Sequence, residues 1–226
     1  MNAGYPLRPS ALFLDFDGVT CDTERAARRS WEELFQESEL TFPADLWLRM
    51  VGNSAGAALA ADELARRRGV QLSHEELARR LRRKAELADA EPACPGVVAL
   101  LARAVDLDLP VAVVSSSPST WVRHHLSRLG LLKSLSFVVT GDDTSAHKPA
   151  PDLYLLALRW AGVAAQTAVA VEDSMPGVLA AKAAGLHCLA VPNGSGMPVP
   201  GDSADAVLND LEDLALAPAS GAGALR

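Results

Sequence analysis

The sequence predicts an α/β fold in which a parallel sheet is doubly wound with helices on both faces and carries an all-helical insert. Three observations point to it. Short apolar runs alternate with amphipathic helical patterns from residue 96 onward, as strand–helix–strand crossovers require. The first apolar run, residues 11–14, is cut off from the others by a stretch, residues 22–92, whose apolar spacing is helical throughout. Finally, the apolar runs tend to end abruptly in polar, reactive residues, and in wound parallel sheets ligands bind at the carboxyl ends of the strands.

In chain order, Ala11, Leu12, Phe13 and Leu14 read as a buried strand that delivers Asp15 and Asp17 at its end, with Gly18 allowing the backbone to turn away. Residues two apart on a strand share a face, so the two carboxylates would stand together. A helix begins near Thr23, with Ala27, Trp31, Leu34 and Phe35 on one stripe. After Pro43 a short helix over 45–51 is expected, then a Gly52-Asn53-Ser54 turn capping a helix over 55–68, stopped by Gly69. Ser73 and Glu76 suggest a capping box for a helix reaching about residue 90, where the Pro92 and Pro95 region forbids continuation. The expected division is therefore a core of residues 1–21 and 93–226 and a helical cap of residues 22–92. Beyond Gly96 we expect helices over 97–105, 119–129, 151–161 and 176–184, and strands over 110–114, 137–140, 168–171, 188–191 and 206–208. The Ala-, Gly- and Ser-rich tail from residue 217 is expected to fray.

Composition narrows the function. With 28 acidic against 21 basic residues and a net charge of −7, a nucleic-acid or anionic-membrane surface is not expected. No signal-peptide core or membrane span is visible, and Cys21, Cys94 and Cys188 have no pairing pattern, which fits reduced thiols in a cytoplasm. Cys21 lies close to the carboxylates, so its modification is an expected route to inhibition. The expected state is a cytoplasmic monomer acting on a small molecule.

At the strand ends the chemistry is coherent. Asp15 and Asp17 follow the first run; Ser115, Ser116 and Ser117 follow Val111–Val114; His147 and Lys148 follow the next strand region; Glu172 and Asp173 follow the run at 168–171. Four carboxylates around one pocket repel unless a cation joins them, and hard oxygen ligands suit Mg²⁺. Strand-end serines at a helix start can hold phosphate oxygens, with Lys148 neutralising the phosphoryl group. Asp15 can then attack phosphorus, and Asp17 can protonate the departing alcohol and later take a proton from water. Each feature alone has a plainer reading as a turn, a cap or a solvated loop; their ordered convergence on strand ends favours the chemical one.

The segments DFDGVTCDTE, VVSSSP, HKPAPDLY and VEDSMPGVLAAKAAG resemble the four motifs of the haloacid dehalogenase superfamily, in the helical-cap subgroup that includes β-phosphoglucomutases and sugar phosphatases. The resemblance implies a Rossmann-like core, Mg²⁺ and an aspartate nucleophile. It assigns Asp15 as nucleophile and metal ligand, and Asp17 as acid/base and ligand through its backbone carbonyl. Ser115, with Ser116 beside it, and Lys148 become phosphate binders, Asp173 a metal ligand, and Glu172 a ligand directly or through water. Asp17 argues for phosphoryl over carbon–halogen chemistry, because the family's dehalogenases lack that second aspartate. Mutases of the subgroup carry a cap histidine where Ala27 falls and an arginine where Ala55 falls, so the resemblance favours a sugar phosphatase, with a phosphosugar mutase as runner-up. A distant third is a phosphorylated signalling receiver, which would explain neither Asp17 nor the insert.

Within the cap, Asn53 and its neighbours are candidates for substrate contact. The arginines at 66–68 and 79–83 read as a solvated face, with Glu75–Arg79 and Glu76–Arg80 spaced to pair. His124 and His125 are expected to pack or face water.

Overall fold

The computed structural model describes residues 5–51, 55–195 and 198–217. Side-chain positions at 5–7 are not part of that description, and the expectations for Gly52, Asn53 and Ser54 and for the tail lie outside the described residues.

Strand β1 (Tyr5–Leu7) is followed by β2 (Ala11–Leu14) and by four helices, α1 (Thr23–Gln36), α2 (Ala44–Met50), α3 (Gly56–Arg68) and α4 (His74–Ala90). Helix α5 (Val97–Asp106) then opens a regular alternation: β3 (Val111–Val114), α6 (Ser119–Arg128), β4 (Phe137–Val139), α7 (Asp152–Ala161), β5 (Ala168–Glu172), α8 (Met175–Ala183) and β6 (His187–Ala190). Strands β7 (Ala206–Val207) and β8 (Leu214–Leu216) close the described chain. The six-stranded sheet runs β4-β3-β2-β5-β6-β7 with every pairing parallel. The chain winds outward from β2 in both directions, which places the topological switch at the end of β2.

The apolar runs are continuous because both sheet faces are covered. Leu12, Leu14, Val111, Val113, Val169 and Val171 pack with α5 and α6. The intervening Phe13, Ala112, Val114 and Ala170 pack with α7 and α8 on the other side. A one-residue slip would exchange these sets and leave both layers mispacked, so register is fixed by packing on two faces at once.

Helices α1–α4 surround a separate cluster built on Trp31, Leu34, Phe35, Leu46, Trp47 and Leu64. The Ser73–Glu76 capping box is formed. The expected Glu75–Arg79 and Glu76–Arg80 pairs are replaced by others. Glu76 is engaged by Ser73 and Arg68, Glu75 by Arg82, and Arg79 reaches Glu37 just after α1. Arg80 is not on a solvated face: it lies buried 4.4 Å over the Trp31 ring and donates to Ser30 Oγ at 3.2 Å. A carboxylate already satisfied by a cap cannot reach the next turn, and Arg80 faces the partner helix.

The parallel pairing of β1 with β8 was not expected from the sequence. Of the two adjacent histidines, His124 meets Asp89 at 2.7 Å and His125 is fully buried, stacked on Phe16 at 6.0 Å. Burial, reinforced by Arg128, pushes the His125 imidazole down to about 4. In the unfolded chain it would take up a proton below about 6.5, whereas the folded protein resists until about pH 4. Stability is therefore expected to fall as pH drops from 6.5 towards 4. Thermal denaturation across that window should show a shallower decline for His125→Phe than for the unsubstituted protein.

Candidate active site

The site forms where β2, β3 and β5 end. Asp15 and Asp17 do not share a strand face, because β2 stops at Leu14; they are brought together by the tight loop that follows. Thr20 Oγ1 donates to the Asp15 carbonyl at 2.6 Å and fixes that loop. Gly18 adopts φ +93°, and a β-carbon there would collide with the Asp173 carboxylate. Glycine is required at this position twice over, by backbone conformation and by close approach.

Lys148 Nζ is buried and contacts the Asp15 carboxylate through Oδ1, the Glu172 carboxylate at 2.6 Å and the Val114 carbonyl at 2.8 Å. Burial on its own would depress this ammonium, but Asp15 and Glu172 hold it above the ordinary lysine range. Burial likewise raises the Asp15 carboxyl, as do Glu172 and Asp17, while Lys148 opposes them. Burial also raises Asp173, assisted by Asp15 and Glu172 and opposed by Asn193, whose side-chain amide donates to Asp173 Oδ2. Oxygens of Asp15, Glu172 and Asp173 all lie within 4.8 Å of one another. The Lys148 ammonium meets two of these three carboxylates, Asp15 and Glu172, and among the described residues buried Glu172 Oε2 has no hydrogen-bond partner. This donor set fits a hard divalent cation.

Asp17 is held differently. Its carboxylate accepts from Thr23 Oγ1, Ser117 Oγ at 2.6 Å, Ser115 Oγ at 3.4 Å and Trp121 Nε1 at 3.1 Å. Ser116 Oγ accepts from the Lys148 backbone N–H at 3.3 Å. A cavity of about 260 Å³ opens above, lined by Asp15, Asp17, Ser115, Ser116, Lys148 and Asp173, and also by Met50 and Val51 from the insert. Glu172 sits behind Lys148 and away from that wall. The position proposed for Asn53 lies outside the described residues.

The sequence reading missed several participants. Tyr154 donates to Glu172 from α7, and Glu24 stands at the cavity, pushed up to about 7 by burial and then by Asp17, with Lys84 opposing. Asn193, just after β6, could have been found by applying the strand-end rule once more; Trp121 and Tyr154 left no such signal. His147 lines the cavity and meets the Gly141 carbonyl at 3.0 Å. Cys21 is fully buried and burial pushes its thiol up to about 11, which argues against its ready modification.

Fold and site together define a capped α/β hydrolytic enzyme. The family model for haloacid dehalogenase-like hydrolases matches residues 9–185, and the chain belongs to that family. The Bacillus subtilis (strain 168) protein YhcW, a candidate phosphatase by its name, is 40% identical over 184 residues, covering 81% of this chain and 83% of that one. Validoxylamine A 7'-phosphate phosphatase of Streptomyces hygroscopicus subsp. limoneus is 32% identical over 181 residues, covering 79% and 83%. Among solved structures, CbbY from Rhodobacter sphaeroides in complex with phosphate superposes with a TM-score of 0.71 at 27% identity, covering 92% of this chain and 97% of that one. Among the described residues, no helix is long and apolar enough to cross a membrane.

Gly18→Ala should be less stable than Gly69→Ala by at least about 1 kcal/mol in denaturant unfolding. Both positions have positive φ, but a β-carbon at Gly69 meets nothing within 4 Å, so the difference reports the crowding against Asp173 and Asn193.

Proposed function

We propose that the protein is a Mg²⁺-dependent phosphatase that hydrolyses the phosphomonoester of a small metabolite, a sugar phosphate, through an aspartyl-phosphate on Asp15. The observation that carries this reading is the Asp15–Lys148–Glu172–Asp173 group buried at the switch point, with Asp17 beside it. Mg²⁺ held by Asp15, Asp173, Glu172 directly or through water, and the Asp17 backbone carbonyl would neutralise phosphate charge. Lys148 takes Oδ1 of Asp15, so Oδ2 is the oxygen offered to phosphorus. As that bond forms and the ester P–O bond breaks, Asp17 gives its proton to the leaving oxygen. A water then attacks the aspartyl-phosphate, Asp17 takes its proton, and phosphate and free Asp15 result. Ser115, Ser116 and Lys148 hold the phosphoryl oxygens, while residues 22–92 close over the leaving group and exclude bulk water.

The cavity is sized for a small phosphorylated metabolite. The phosphatase names of the two relatives support hydrolysis over isomerisation. Ala27, where the subgroup's mutases carry histidine, supports the same choice; in this chain it offers its carbonyl to Ser30 Oγ at 2.7 Å. We further propose that the enzyme works as a cytoplasmic monomer.

Phosphate release should be measured with Mg²⁺ over sugar phosphates, phosphoglycolate and nucleotides. Asp15→Asn is expected to lower turnover by about a thousandfold or more, and near-normal activity in that variant would refute the mechanism. Chelation should abolish activity and added Mg²⁺ restore it. Isomerised product without free phosphate would establish the mutase instead, and a long-lived phospho-aspartate without multiple turnover would establish a receiver.

A further inference from the structure

We propose that Trp121 is a positioning residue for Asp17, and that its indole N–H decides which oxygen of that carboxyl carries the transferable proton. The inference rests on the phosphatase reading above. Asp17 Oδ1 accepts from Thr23 Oγ1 and from Trp121 Nε1 at 3.1 Å; Oδ2 accepts from Ser117 Oγ at 2.6 Å and Ser115 Oγ at 3.4 Å. Three of these partners are hydroxyls, which rotate to donate or to accept. The indole N–H can only donate. When Asp17 carries a proton, the serines at Oδ2 can reverse their hydrogen bonds to accommodate it, whereas the contact at Oδ1 cannot reverse. The proton therefore resides on Oδ2, beside Ser115 and Ser117 on the cavity wall next to Asp15. On Oδ1 it would sit among Thr23 and Trp121, and Trp121 does not line that cavity.

The indole is itself held from several sides. It projects from the first turns of α6, with His125 packed edge-on at 4.3 Å between ring centroids. Lys84 on α4 places its ammonium 4.6 Å from the ring centroid, a cation–π contact between the helical insert and the core. The aim of the N–H thus depends on the insert resting against α6. Proton delivery from Oδ2 to the leaving oxygen, as its bond to phosphorus breaks and the Asp15 bond forms, is available only in that arrangement.

Trp121→Phe keeps an aromatic ring and removes the donor. We would compare kcat/KM for two kinds of substrate. One is the fastest-hydrolysed of glucose 6-phosphate, fructose 1-phosphate and glycerol 3-phosphate, whose alkoxide needs a proton to leave. The other is p-nitrophenyl phosphate, whose leaving group does not. The expected result is a fall of about tenfold or more on the alkyl phosphate and of no more than about twofold on p-nitrophenyl phosphate. Equal falls on both, or none on either, overturn the proposal. They leave the phosphatase reading standing provided that Asp15→Asn still abolishes both reactions; if Asp15→Asn spares both, it is the reading that fails. If Trp121→Phe folds poorly, site-specific replacement of Trp121 by 3-benzothienylalanine exchanges the N–H for sulfur in a ring of the same shape, and the same outcomes decide.

Discussion

One buried ammonium holds this site together. Lys148 reaches from the loop after β4 across the end of the sheet to Asp15 and Glu172, with its stem buried and its head clear of bulk water. Withdrawing an ion from water costs several kcal/mol, and close opposite charge must offset that cost. Here the charges do not balance, because Asp15, Glu172 and Asp173 lie within 4.8 Å of one another while the one ammonium meets only Asp15 and Glu172. The raised Asp15 and Asp173 carboxyls express that imbalance: burial favours their neutral forms until more positive charge arrives. The fold thus accepts an unfavourable cluster at the one place where two directions of winding meet, and the core on both faces of the sheet supplies the stability that tolerates it.

Much of this was legible from residue order because parallel sheets obey a simple rule. Once both faces are covered, strands must be short apolar runs, and ligand-binding side chains can stand only beyond their ends. Asp15, Ser115 and Glu172 are the first polar residues after their apolar runs and Asp173 is the next, whereas Lys148 stands further along the loop that follows β4. What stays hidden is anything that depends on reach across the chain. Tyr154 and Trp121 are ordinary members of amphipathic helices until the helices are placed, and then their polar atoms prove to meet Glu172 and Asp17. The cap arginines fail for a related reason. The i,i+4 spacing says which partners are near, but not which carboxylates a cap or a neighbouring helix has already taken. Strands β1 and β8 are too short, at three residues each, to leave a periodic signal, and their pairing joins opposite ends of the described chain.

The junction between insert and core is equally specific. Helix α4 ends at Ala90, leaving carbonyls without partners inside the helix. Arg128 on α6 donates to two of the carbonyls in this region, Ala88 at 3.1 Å and Glu91 at 2.8 Å. On the other connection, Arg25 bridges to Glu91 and Arg28 donates to the Ser195 carbonyl at 2.7 Å. These contacts lie on the polypeptide crossings themselves and on the first turns of α1, so the insert is anchored where it leaves and re-enters the core. Its far end at Met50 and Val51 reaches the cavity.

Two aspartates separated by one residue have opposite surroundings, and in the proposed mechanism this difference divides their labour. Asp15 is desolvated, paired with an ammonium through one oxygen, and stands within the cluster suited to a cation. In the proposed mechanism those conditions leave its other oxygen as the nucleophile for a charge-neutralised phosphorus. Among the described residues Asp17 has no formal positive partner within hydrogen-bonding distance; it is surrounded by hydroxyls that can reverse and one indole that cannot. Reversible partners are what a group needs if it is to gain and lose a proton in each cycle without moving. The sequence DxD would serve either role at either position. It is Lys148 on one side and Ser115, Ser117 and Trp121 on the other that separate the proposed nucleophile from the proposed acid.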